Sequence, residues 1–71
     1  MRLRRIFAEN LRRWRVERGL SQEVLADNAG IDRTYVSALE RSVYSVSLDT
    51  VEKLAQALDI EPHQFLTTKS D

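Results

Sequence analysis

Seventy-one residues allow one small domain, whose core is marginal from burial alone, so idealised helix packing or association is expected to support it. The absence of cysteine excludes disulfides and thiolate metal sites, and no apolar run is long enough to span a membrane. Eleven basic residues balance eleven acidic ones, so affinity for nucleic acid has to be judged from where the charges sit.

The charges are polarised along the chain. Residues 1–18 carry seven arginines against Glu9 and Glu17, whereas residues 19–41 hold two basic and four acidic residues and residues 42–71 hold two and five. Leu3, Phe7, Leu11 and Trp14 recur at helical spacing with Ile6 beside them, which predicts an amphipathic helix over about residues 2–18, ended by Gly19. Trp14 lies in this apolar stripe and is read as core rather than as a platform for a base. Arg12, Arg13 and Arg18 are expected to face solvent, where some can touch phosphate. Arg2, Arg4 and Arg5 keep the helical register and are read as an ordered first turn rather than a flexible arm. They precede no hydrophobic region of signal-peptide type, so a cytoplasmic protein is expected.

Ser21 can cap a second helix that carries Val24, Leu25, Ala26 and Ala29. Gly30 supplies the backbone freedom of a tight turn, Ile31 plugs the corner, and Asp32 can cap a third helix running to about Arg41. Counting Gln22 as the first position, Leu25, Ala29, Ile31, Val36 and Leu39 are the positions that a helix-turn-helix must bury, with Ala26 and Gly30 its small residues. A loop follows over Ser42–Ser47. Ser47 can cap a fourth helix, with Asp49 complementing the positive end of the helix dipole and Leu48, Val51, Leu54, Ala55 and Leu58 as its buried stripe. Asp59 stands where a helix-ending glycine is common, and Pro62 suits the first turn of a short fifth helix ending near Leu66. Residues 67–71 read as a frayed tail. No strand pattern or repeat is visible, so the expectation is an all-α single domain over residues 1–71 with its core between about 3 and 66.

The segments LRRWRVERGLSQEVLA, AGIDRTYVSALER and SLDTVEKLAQALDI match in order the pattern of Cro/repressor-type (xenobiotic-response-element) DNA-binding domains, and the chain resembles that family over roughly Leu11 to Leu66. The resemblance implies a five-helix, lambda-repressor-like domain with a central helix-turn-helix. Within the family, Arg33-Thr34-Tyr35 at the start of the third helix resembles the controller proteins of restriction–modification systems. The resemblance also implies that Arg15 pairs with Glu40, tying the first helix to the recognition helix. The loop after Arg41 departs from the family, whose members often carry a glycine, then basic residues, then a proline. Here Ser42, Val43-Tyr44 and Val46 stand in those places, which puts one set of phosphate contacts in doubt. Val43 and Tyr44 are expected to fold back on the core; contact with a partner, a sugar or a thymine methyl are the alternatives.

A recognition helix reads base edges with the outer face of its first turns. Arg33, Thr34, Ser37 and Ala38 are placed there, with Tyr35 divided between DNA contact and core packing. Arg33 leads because a guanidinium matches guanine O6 and N7 with two hydrogen bonds. Gln22, at the start of the second helix, is the candidate phosphate contact; Ser21, Arg12 and Arg41 can share this work, Ser21 also being a plain cap. One such motif reads few base pairs, so a homodimer on two half-sites about 34 Å apart is expected. Its surface is assigned to the fourth and fifth helices through Ile60, His63 and Phe65, with Leu66 closing the monomer core.

Catalysis is not expected: the chain has one histidine, no cysteine, no glycine-rich phosphate loop and little room for a cleft. No metal or cofactor is implied. A sequence-specific transcriptional regulator of double-stranded DNA is the leading function. The alternatives are an antitoxin, which would use the same fold on its operator and bind a toxin, and a protein-interaction module that has lost DNA binding. Glu23, Asp27, Asp32 and Glu40 near the reading head favour the last, although Asp32 as a cap and Glu40 as an ion-pair partner halve that objection.

Overall fold

A computed structural model describes residues 2–68. Four α-helices and one 3-10 turn follow in order: α1 Arg2–Glu17, α2 Gln22–Ala29, α3 Arg33–Glu40, α4 Leu48–Leu58, and the turn Pro62–Phe65. No strand occurs among the described residues, and the fifth element is a single 3-10 turn where a helix was expected. No helix among them is long and apolar enough to cross a membrane.

Local chemistry sets the boundaries. Ser21 accepts the Val24 backbone N–H at 3.0 Å, Asp32 that of Thr34 at 2.7 Å, and Ser47 that of Thr50 at 3.1 Å, so each of the three inner helices has an oxygen on its otherwise unpaired first turn. Gly30 ends α2 in the left-handed region at φ 71°, and the Ile31 N–H turns back to the Ala26 carbonyl at 3.0 Å. Asp59 ends α4 in the same conformation at φ 58°. The α4 terminus gains a further partner from the residue that follows α1. Arg18, expected to face solvent, donates from Nε to the Leu58 carbonyl at 2.8 Å and from Nη2 to that of Asp59 at 3.3 Å, a cation on the negative end of the helix dipole.

The core gathers Phe7 and Leu11 from α1, Leu25, Ala26 and Ala29 from α2, Val36 and Leu39 from α3, Leu54, Ala55 and Leu58 from α4, and Phe65 from the turn. Trp14, Leu20, Ile31, Tyr35 and Val51 are half-buried against it. Asn10 is buried as well, its Nδ2 donating to the carbonyls of Phe65 and Thr67 at 2.7 and 2.9 Å, so Thr67 is tied to α1 where a frayed tail was expected. Residues 69–71 of that tail lie outside the described residues.

Several apolar residues do not join the core. Leu48 is 86% exposed, and Leu3, Val24, Val43, Tyr44 and Leu66 are exposed too. Leu48 is the first residue of α4, so its side chain has no turn of its own helix beneath it. Leu66, assigned to core closure, lies outside because Phe65 fills that place: it is fully buried with its ring centroid 5.0 Å from that of Phe7. Phe65 therefore presents no surface to a second subunit, which corrects its assignment to a dimer interface. Val43 and Tyr44 do not pack on the core either. Their loop reverses at Ser42, whose φ of 60° is a conformation that costs a non-glycine residue roughly 1–2 kcal/mol. The Ser42 hydroxyl offsets little of this, reaching the Arg4 carbonyl only at 3.4 Å. Ser42→Gly is therefore expected to raise stability by about 0.5–1 kcal/mol, seen in thermal unfolding as a rise of roughly 2–8 °C; a lower midpoint would refute this account of the turn.

Candidate nucleic-acid interface

The packing of α3 decides which of its side chains are offered outward. Val36 and Leu39 are buried at 0% and 1% exposure, and at 100° per residue the opposite strip carries Arg33, Thr34, Ser37 and Arg41. Arg33, Thr34 and Arg41 are exposed and Ser37 is half-buried. Tyr35 is half-buried against the core at the edge of this strip. Ala38 is buried at 3%, which corrects its placement among base-contacting residues. Its cover comes from chain outside α3, which periodicity along the helix does not register; the end of the helix is closed by the Ser42 and Val43 N–H groups, which return to the carbonyls of Leu39 and Ala38 at 3.1 and 3.0 Å.

One ionic cluster sets the orientation of the motif. Arg15 on α1 holds Glu40 on α3 with two hydrogen bonds, Nε to Oε2 at 2.6 Å and Nη2 to Oε1 at 3.1 Å. Its Nη1 donates to the Leu20 carbonyl at 2.9 Å. The side chains of the pair are only 14% and 4% exposed. Gln22, the first residue of α2, joins them by donating Nε2 to Glu40 Oε1 at 3.1 Å. Ser21 beside it is committed as the α2 cap, and Ile60 and His63 lie apart from this face on the α4 side of the molecule, half-buried and exposed respectively.

Sequence reasoning assigned Arg12 to phosphate and Arg5 only to an ordered first turn. Spacing on α1 sets Arg5 and Arg12 one strip away from the line Arg4, Ala8 and Arg15 that abuts α3, and both are exposed. Arg13 lies on the other side, bonded to Asn10 Oδ1 at 3.2 Å and over the Trp14 ring at 5.1 Å. Arg4 is drawn to the loop instead, donating Nη2 to Ser45 Oγ at 3.1 Å.

Two short helices joined at a glycine, the second with a polar outer strip and an apolar inner one, define a helix-turn-helix domain. The helix-turn-helix family model HTH_3 matches residues 11–65, and the chain belongs to this family. It is similar to a hypothetical transcription factor of Neisseria meningitidis serogroup B, 48% identical over 64 residues that make up 90% of this chain and 60% of the relative. The chain thus spans less than two thirds of that relative's length. Among solved structures it is similar to the restriction–modification controller protein C.AhdI from Aeromonas hydrophila, at a TM-score of 0.85 and 48% identity over 87% of this chain and 94% of that one. It is also similar to the controller protein C.Esp1396I, solved as a tetramer in complex with its natural 35 base-pair operator, at a TM-score of 0.82 and 28% identity over 89% and 83% of the two chains.

Proposed function

We propose that this chain is a sequence-specific transcriptional regulator that acts in the cytoplasm as a homodimer on a two-fold symmetric DNA operator, with α3 in the major groove. The observation that carries the reading is the outward strip of α3, where Arg33, Thr34 and Ser37 stand on a helix whose other faces are locked into the core. Arg33 reads a guanine, Thr34 adds a thymine methyl or phosphate contact, and Tyr35 reaches a neighbouring base or sugar from its half-buried place. Gln22, Arg12 and Arg41 hold the phosphate backbone and so fix the register of α3. The relatives named above, regulators of transcription or of restriction–modification systems, support the same reading.

The dimer surface in this proposal keeps His63 from the one expected from sequence and otherwise differs from it. Leu3, Val46, Leu48, Val51 and Leu66 border one apolar groove with Pro62 and His63, between the start of α1, the start of α4 and the 3-10 turn. Its occupant is a second copy, because one helix-turn-helix reads too few base pairs and two must be held about one helical turn apart.

Selection of bound duplexes from a random DNA pool at moderate salt tests the function. Enrichment of a symmetric site with half-sites about ten base pairs apart is expected. Recovery of no preferred sequence by the folded protein would overturn the reading. On the selected site, Arg33→Ala should cost about 1–3 kcal/mol and relax preference at one base pair per half-site; unchanged affinity and preference would remove Arg33 from the reading head.

A further inference from the structure

We infer that Glu40, besides pairing with Arg15, is the positioning residue that sets the Gln22 amide for a phosphate oxygen of bound DNA. Glu40 takes this role only if the start of α2 approaches the DNA backbone, as in the function proposed above. Glu40 Oε1 accepts Arg15 Nη2 and Gln22 Nε2, both at 3.1 Å, while Oε2 accepts Arg15 Nε at 2.6 Å. Among the described residues Glu40 is the one hydrogen-bond partner of the Gln22 amide. A carboxylate can only accept, so it fixes which end of the amide faces inward: Nε2 turns to Glu40, and its second N–H is left to donate outward. Without Glu40, the amide could equally turn its oxygen outward, towards an anion it would repel.

Charge allows the arrangement. A bare carboxylate next to a phosphate would repel it, but the Arg15 guanidinium holds Glu40 by two hydrogen bonds in a site that is almost closed to water. The pair presents little net charge, and the second N–H of the amide stays free to donate. The half-buried Gln22 is also held in place before DNA arrives, so binding does not have to arrest a mobile side chain. Glu40 thus links three helices at one atom pair: α1 through Arg15, α2 through Gln22, and α3, on which it sits.

The test is a double-mutant cycle on operator affinity with Gln22→Met, which keeps the length of the side chain and removes the amide, and Glu40→Gln, which removes the obligate acceptor. In the wild-type background Gln22→Met is expected to weaken binding about tenfold, and in the Glu40→Gln background less than about twofold. An equal loss in both backgrounds would overturn the inference, as would no loss in the wild type. Failure of the DNA reading itself looks different, because then the unsubstituted protein selects no operator. Should Glu40→Gln not fold, the wild-type protein supplies the answer through NMR relaxation of its side-chain amides. The Gln22 amide is expected to be rigid in the free protein and the exposed Gln56 amide mobile. Equal mobility of the two would overturn the inference.

Discussion

Glu40→Ala should cost about 3–5 kcal/mol of folding free energy, among the largest losses expected from any single polar substitution in this chain. A domain of this size holds only roughly 4–10 kcal/mol in total, so a substantial fraction would be unfolded at 37 °C. The magnitude comes from what is left behind. Arg15 would keep a charged guanidinium, 14% exposed, whose remaining protein partner is the Leu20 carbonyl at 2.9 Å. Removing one member of a buried pair leaves the other desolvated without compensation, whereas removing both can be nearly neutral. The double variant Arg15→Met with Glu40→Met is therefore expected to recover most of the loss, since both side chains are already largely buried. Thermal and urea unfolding of the wild type, Glu40→Ala and the double variant checks this. A single-variant loss below about 1 kcal/mol would mean that the pair is solvated in solution and contributes as a surface salt bridge does.

The two members of this pair stand 25 positions apart, and no periodicity connects them; only the resemblance to a family led to their pairing before the structure did. Features written within one turn of helix were legible from residues alone. Ser21, Asp32 and Ser47 cap the helices they precede, and Gly30 adopts the positive φ its place in the turn demands. Val36 and Leu39 point inward because a helix of eight residues has few ways to present an apolar stripe. What was not legible depends on chain arriving from elsewhere. Ala38 looked exposed on a helical wheel and is buried by chain outside its own helix. Arg18 looked like a solvated cation and caps α4 forty positions away. Phe65 and Leu66 are adjacent and both apolar, and hydropathy cannot tell which of two neighbours enters a core when a 3-10 turn rather than an α-helix sets their directions. Leu48 shows the same limit from the other side. Apolar periodicity marks a residue that gains by burial and is silent on which molecule supplies the cover.

Leu48→Asp should separate the proposed dimer without harming the monomer, and it is the substitution expected to weaken operator binding most. Leu48 is 86% exposed, so its loss removes almost no intramolecular contact, and aspartate at the first residue of a helix favours the dipole. Opposite a second copy the same change sets a carboxylate against an apolar groove, and two-fold symmetry repeats that cost in the other subunit. The wild-type protein is expected to sediment as a dimer at micromolar concentration, and Leu48→Asp as a monomer with an unchanged helical spectrum. Two reading heads held together bind with an effective local concentration in the millimolar range, which raises overall affinity by about 10²–10⁴ over one head. That factor is the expected loss on the full operator, whereas preference for the half-site sequence should persist because α3 is untouched. The salt dependence should fall to about half, each released phosphate contact contributing about 0.9 log unit per log unit of salt. Arg33→Ala would show the opposite pattern, losing sequence preference while remaining a dimer. If Leu48→Asp still sediments as a dimer and binds the full operator at wild-type affinity, the second copy docks on another face, and the apolar border of Leu3, Val46, Leu48, Val51 and Leu66 has a different occupant.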